Sequence, residues 1–350
     1  AYFWFIVKNA KKNTRAQKAT DSIEIDTEVT SNFKILLWFS IGGISLWGGS
    51  ELLVAGAVGI AQFFEVSNRV IAVSMIAVGT SIPELAASVV AALKQEKALL
   101  IGNIIGSNIA NIGLILGISL FISPINTKNA VSNTQRSLLL ILSFSFTGYL
   151  FFHPSHSLST LPGACLLIFI ASYLLFLTKS ALQDRGDRKK DSLDEEDIKP
   201  TSILLSCTMI LIATAALWAG SDTLVFGAKN LATLAGVPEE LVGFTLVAIG
   251  TSLPELAASI SLVKKGEFSM LLGNIVGSNI FNIGLVGGVA GILGPITATT
   301  TYPWIDYLSL LLLTGIFAFW LRGKQLNKIH GTMLLTVYLA ASLFTWTFNS

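Results

Sequence analysis

The chain carries the same two motifs twice, at a single spacing. "GTSIPELAAS" (Gly79–Ser88) returns 171 residues later as "GTSLPELAAS" (Gly250–Ser259), identical at nine of ten positions. "GNIIGSNIANIG" (Gly102–Gly113) returns at the same offset as "GNIVGSNIFNIG" (Gly273–Gly284), identical at ten of twelve. "GGSELLVAGA" (48–57) and "AGSDTLVFGA" (219–228) make a third pair. Two copies of one unit must fold alike and then fit each other, which excludes most architectures before any single residue is interpreted.

Each copy has the composition of a membrane protein. Of the 350 residues, 52% are hydrophobic and 13% charged, against about 25% charged in a soluble domain, and the mean hydropathy is +0.69. Charges and turn residues divide the chain into ten apolar segments, at 35–60, 69–93, 98–122, 136–152, 162–178, 202–233, 241–263, 268–293, 304–321 and 330–347. Most approach the roughly 20 residues that a spanning helix needs. The polar stretch "KSALQDRGDRKKDSLDEEDIKP" (179–200) is the one clear linker, with five segments on either side. The sequence therefore predicts an all-α membrane protein of ten transmembrane helices: a five-helix repeat over 35–178, a cytoplasmic linker over 179–200 and a second five-helix repeat over 201–350. Residues 1–34 form an N-terminal tail or the remnant of a preceding helix. "AYFWFIV" at 1–7 is too short to span and is followed at once by Lys8, Lys11, Lys12, Arg15 and Lys18, so the chain is expected to lack the beginning of that helix.

An odd number of spans per copy sends the second copy into the bilayer from the opposite face, which predicts inverted-topology repeats. Positive charge tests this. In the second half the linker, Lys264 and Lys265, and Arg322, Lys324 and Lys328 all fall on one face, while loops 234–240 and 294–303 contain no Lys or Arg. In the first half Arg69, Lys128 and Arg136 agree with inversion; Lys94, Lys97 and the basic tract at 8–18 do not.

Inside this apolar frame the first motif is anomalous. An ionised carboxylate at mid-bilayer costs roughly 2.5–3.5 kcal/mol on insertion scales. Proline removes a donor from the helical ladder. Yet Glu84 directly follows Pro83, and Glu255 directly follows Pro254. Ser81-Ile82-Pro83-Glu84 has the S-x-x-E spacing of a helix start, so the span at 69–93 is expected to break at Gly79–Ser81. Carbonyls near Ala77, Gly79 and Thr80 would be left free, as would those around Ala248, Gly250 and Thr251 in the second copy. Bare carbonyls persist in hydrocarbon only where they line a cavity or meet a cation. If the two breaks meet, two carboxylates, hydroxyls and carbonyls form an all-oxygen site for a hard cation such as calcium, sodium or magnesium.

The second motif extends the oxygen set. Ser107 and Asn111 are four residues apart and share a helical face, as do Ser278 and Asn282. Gly102, Gly106 and Gly113, with Gly273, Gly277 and Gly284, are read as packing positions that let backbones approach. Asn108 and Asn279 lie one residue off the binding face and are read as structural, and the duplicated acids Glu51 and Asp222 as structural or interfacial. Cys165 and Cys207 sit in apolar runs, which excludes a disulfide framework. His153, His156 and His330 lack the i,i+4 pairing of a zinc site, and the acidic run 194–197 is read as a solvated loop face. A net charge of +2 gives no reason to expect nucleic acid as a partner.

These motifs resemble the two alpha-repeats of the calcium/cation antiporter superfamily, and in particular prokaryotic sodium/calcium exchanger-like membrane proteins. The resemblance spans about 35 to 347. It implies ten helices in inverted repeats and exchange of calcium for sodium by alternating access. Carried over by motif position, calcium ligands are Glu84 and Glu255 with the carbonyls of Thr80 and Thr251. Sodium ligands are Ser81, Ser252, Ser107, Ser278 and the carbonyls of Ala77 and Ala248, and Asn111 and Asn282 complete the centre. Some members place aspartate where this chain has Asn282, so neither potassium dependence nor a third titrating acid carries over. The first helix of each repeat (35–60 and 202–233), rich in small residues such as Gly42, Gly43, Gly48 and Gly49, is expected to slide over the core. A prokaryotic inner-membrane protein is expected, monomeric, with transported calcium and sodium as its bound ions and no cofactor or enzymatic chemistry. Proton-coupled antiport and a passive cation channel are the alternatives.

Overall fold

The computed structural model describes residues 32–64, 68–93, 97–153, 157–191, 202–234, 250, 252–294, 296–297 and 303–349. Among these the chain is helical but for two-residue strands and turns. Seven helices are long and apolar enough to cross a bilayer, and the chain is a multi-pass integral membrane protein. In chain order the first half contains α1 (Asn32–Phe63), then α2 (Asn68–Ile71), a π-helical turn (Ala72–Ile76) and α3 (Ala77–Leu93). Next come α4 (Lys97–Ala110), a second π turn (Asn111–Leu116), α5 (Gly117–Ile122), β1 (Ile125–Asn126), α6 (Asn133–Phe152), β2 (Ser157–Leu158) and α7 (Thr160–Asp191). The second half holds α8 (Ile203–Leu234), α9 (Leu253–Lys264), α10 (Phe268–Phe281), a third π turn (Asn282–Val286), α11 (Gly287–Leu293), β3 (Ile296–Thr297), α12 (Pro303–Trp320), β4 (Gln325–Leu326) and α13 (Lys328–Asn349).

The sequence offset survives as geometry. α1 and α8, α4–α5 and α10–α11, and β1 and β3 all begin 171 residues apart. The copies also exchange partners: β1 pairs antiparallel with β4, and β2 with β3. α7 crosses α11 where Gly163 meets Gly288 and Gly291, and α13 crosses α5 where Gly331 meets Gly117. Each copy's last helix is thus clasped by the other copy, which makes the two halves one packed body. α1 and α8 pack along their length with the chain running in opposite senses. A Cβ on Gly42 would strike the backbone of Leu224, one on Gly49 the carbonyl of Ala213 and one on Gly56 the carbonyl of Ser206.

Local signals set several boundaries. Ser132 caps α6 in a capping box, its Oγ accepting from the Gln135 amide (3.2 Å) while Gln135 Oε1 accepts from the Ser132 amide (3.1 Å). Gly266 (φ 75°) makes the tight turn between α9 and α10, and Gly323 (φ 102°) ends α12, conformations that favour glycine. Apolar surface is buried unevenly. The α10–α11 span is 83% buried and the α4–α5 span 78%, against 22% for the apolar parts of α7 and α8. The second-motif helices therefore form the centre, and α7 and α8 present their side chains outward, where lipid solvates them as well as protein would.

Two expectations need correction. Pro83 does not interrupt its span, for α3 runs unbroken from Ala77 to Leu93 with Pro83 inside it. The distortion lies upstream, where the Ala77 amide reaches the Ala72 carbonyl across the π turn. α7 also runs on to Asp191, into the stretch read as linker. The N-terminal segment 1–31 and the acidic run 194–197 lie outside the described residues.

Candidate functional site

The two copies of the first motif meet inside the molecule. α3 carries Thr80, Ser81 and Glu84, and α9 carries Glu255 in its first turn, with Ser252 at its N-cap and Pro254 where a helix start tolerates proline. Glu84 and Glu255 are each 1% exposed. They approach within interaction range of one another. Ser81 Oγ donates to Glu255 Oε1 at 3.1 Å, a bond between residues 174 positions apart that joins one repeat to the other. Thr80 Oγ1 lies 3.3 Å from the Ala77 carbonyl, to which it donates, and 3.5 Å from Ser278 Oγ on α10.

The remaining groups are notable for what they do not bond. Both oxygens of Glu84, Oε2 of Glu255, Oγ of Ser107 and of Ser252, and the whole side-chain amides of Asn111 and Asn282 are buried without a hydrogen-bond partner in the protein. A buried polar group without a partner costs about 1–3 kcal/mol, and more when charged, so a set of this size on the two pairs of motifs calls for something to bind. Among the described residues no lysine or arginine pairs with either carboxylate; the ion pair seen there, Lys265 with Glu51, lies elsewhere. Nor do they contain a cluster of three His, Cys, Asp or Glu. Two carboxylates supplemented by hydroxyl, amide and carbonyl oxygens form a hard-cation donor set, with charge to balance one divalent or two monovalent ions.

The π turns contribute here. Asn111 and Asn282 are the first residues of the second and third π turns, and such turns re-aim side chains at functional sites. Glycine packing sets the distance of one wall. A Cβ on Gly277 would fall 2.6 Å from Ala77 Cβ and 2.6 Å from the Val73 carbonyl, so α10 can lie against the first π turn and α3 only with glycine there. Gly113 and Gly284 similarly sit against Tyr338 and Ile170, whereas Gly102 and Gly106 face no such neighbour among the described residues. For Gly106 the positions equivalent to the neighbours of Gly277, 244 and 248, lie outside the described residues.

Of the residues predicted from sequence, Ala77, Thr80, Ser81, Glu84, Ser107, Asn111, Ser252, Glu255, Ser278 and Asn282 are all placed by the described structure, and the side chains of these apart from Ala77 are buried polar groups. Ala248 and Thr251 lie outside the described residues. Asn108 and Asn279 each donate to the carbonyl four residues back, at 2.7 and 2.9 Å, as structural residues would. Glu51 accepts from Ser261 at 2.8 Å and pairs with Lys265 at 2.7 Å, tying α1 to α9; Asp222 is exposed on α8. The sequence reading passes over Asn103 and Asn274, although both open the second motif one turn before Ser107 and Ser278. It also passes over the hydroxyl of Ser221, which donates to the Gly250 carbonyl.

Comparisons with known proteins agree with this geometry. The family described as sodium/calcium exchanger protein matches residues 34–179 and 205–347. The sodium/calcium exchanger MaX1 of Methanosarcina acetivorans is 32% identical over 355 aligned residues, covering 89% of this chain and 97% of that protein. Inner membrane protein YrbG of Escherichia coli K12 is 33% identical, covering 81% and 88%. Among solved structures, the sodium-calcium exchanger NCX_Mj superposes with a TM-score of 0.72 at 31% identity, over 88% of this chain and 97% of that one. With the match extending over both repeats and the paired carboxylates at their junction, this chain belongs to the sodium/calcium exchanger protein family.

Proposed function

We propose that the protein is a secondary active antiporter that exchanges calcium for sodium across the membrane by alternating access. The observation that carries this reading is the burial of Glu84 and Glu255, one from each repeat, with Ser81 of the first repeat bonding the second glutamate and the other three carboxylate oxygens left without a hydrogen-bond partner. Two fixed negative charges are balanced by one Ca²⁺ or shared among sodium ions, so the two substrates compete for the same charge. Glu84 and Glu255, with the carbonyls of Thr80 and Thr251, hold calcium; Ser81, Ser252, Ser107, Ser278 and the Ala77 and Ala248 carbonyls hold sodium, with Asn111 and Asn282 at the centre. The relatives of this chain include a sodium/calcium exchanger, which supports these substrates.

The scaffold we propose is ten transmembrane helices in two inverted five-helix repeats, at 35–178 and 201–350, joined by a cytoplasmic linker at 179–200. Support comes from the opposed directions of α1 and α8, which occupy equivalent places in the two copies. Opposed repeats present equivalent surfaces to opposite sides, and sliding of the α1–α8 pair over the core opens the site to one face at a time. The working unit we propose is a monomer. The chemistry is transport, without a resident cofactor and without enzymatic bond-making.

The test is calcium uptake into vesicles driven by an outward sodium gradient. Glu84→Gln and Glu255→Gln should each abolish it. Undiminished exchange in both variants would reject the assignment. Two carboxylates in contact need positive charge between them, and a proton supplies that as sodium does. Calcium flux driven by a pH gradient in the absence of sodium would therefore establish proton coupling instead.

A further inference from the structure

The unbonded oxygens continue beyond the central pocket. On α3, Ser88 follows Glu84 by one helical turn; on α4, Asn103 precedes Ser107 by one turn, and Asn111 follows it by another. These side chains form a polar column running from the carboxylate toward the C-terminal end of α3. The second copy repeats it with Ser259 beside Glu255 and Asn274 beside Ser278 and Asn282. The copies differ in state. In the first, Asn103 Nδ2 donates to Ser88 Oγ at 3.1 Å. In the second, Ser259 is 0% and Asn274 1% exposed, yet Ser259 Oγ and both amide atoms of Asn274 have no partner in the protein.

We propose that Ser88–Asn103 and Ser259–Asn274 are two outlying transit sites for a partly hydrated monovalent cation, one on each route between the central pocket and a membrane face. The proposal rests on the antiporter reading above, because opposed repeats direct the two columns to opposite faces. Three buried polar atoms without partners, on Ser259 and Asn274, need a polar guest. All are neutral, and the desolvation cost of an ion grows with the square of its charge, so a site without a carboxylate suits sodium rather than calcium. When the Asn amide donates to the Ser hydroxyl across the column, the two side chains hold each other and the route is shut. When the bond is open they are free for an ion. The structure holds one column with the bond made and one with it unmade.

Asn103→Leu and Asn274→Leu keep the bulk of the side chain and remove its polarity. In vesicles of known orientation, each should raise the half-saturating sodium concentration about tenfold on one face only, and the two should act on opposite faces. Equilibrium calcium binding to the purified chain should stay within about twofold of the parent, because the central carboxylates are untouched. Equal effects on both faces, no effect, or loss of calcium binding comparable to Glu255→Gln would overturn the proposal. A second arm does not depend on exchange. With Cys165 and Cys207 replaced by serine, Asn274→Cys and Asn103→Cys should react with a small charged thiol reagent from opposite faces, and sodium should slow each reaction. Reaction from the same face, or none at either position, would also overturn it. Failure of the parent to take up calcium against a sodium gradient would instead refute the antiporter reading, with the labelling arm still decisive for the columns.

Discussion

Gly277 offers a sharp test of how the pocket is held together. A Cβ placed there lies 2.6 Å from Ala77 Cβ and 2.6 Å from the Val73 carbonyl, both on the neighbouring span. Relaxed carbon contacts are about 3.5–4.0 Å, so Gly277→Ala must drive α10 and the first π turn apart by roughly 1 Å. Overpacking of this kind costs about 1–3 kcal/mol, offset by up to about 1 kcal/mol from the better helix propensity of alanine. The net effect on stability is modest. The effect on the pocket is larger, because Ser278 is the next residue and its Oγ already stands 3.5 Å from Thr80 Oγ1. A further ångström removes it from any cation that Thr80 and Glu84 hold. Gly148→Ala is the control: it lies on α6, and an added Cβ there meets nothing within 4 Å among the described residues. Sodium-driven calcium uptake should fall at least tenfold in Gly277→Ala and stay within about twofold of the parent in Gly148→Ala. Melting of the purified chain should separate this from unfolding. Equal activity of the two variants would refute the close-approach argument.

Three further outcomes follow from the same geometry. Ser81→Ala removes the hydroxyl that bonds Glu255 and leaves a buried carboxylate less well held; a hydrogen bond to a charged group is worth about 1.5–3 kcal/mol, so calorimetric titration should show cation affinity lowered at least tenfold. Gly42→Ala should stop exchange, since its Cβ would lie 2.5 Å from the Leu224 backbone amide, whereas Gly48→Ala, with nothing within 4 Å among the described residues, should leave the rate unchanged. The Glu51–Lys265 pair is 37% and 36% exposed, so a double-mutant cycle on melting should give a coupling below about 1 kcal/mol that shrinks further with added salt.

Much of this protein was legible in its residues. Duplication, apolar run length and the placement of glutamate after proline identify two equivalent membrane units, each with one carboxylate it cannot leave in lipid. Helical periodicity then puts Ser107 with Asn111, and Ser278 with Asn282, on common faces, because a spacing of four in a helix is fixed by the backbone itself. Those properties are local, and local sequence carries them.

What the tertiary structure decided is which copy's groups meet which. Ser81 bonds the glutamate of the other repeat, β1 pairs with β4 rather than with its own neighbour, and Gly277 fixes the approach of α10 to the first π turn. Such pairings depend on how two rigid units dock, and identical motifs alone do not choose between docking within a copy and docking across copies. The fate of Pro83 is the same kind of fact. Its missing donor suggests a broken helix, but α3 runs through it unbroken, following the π turn at Ala72–Ile76. Neighbouring helices make that accommodation affordable in lipid, since they supply the packing that a lone span lacks.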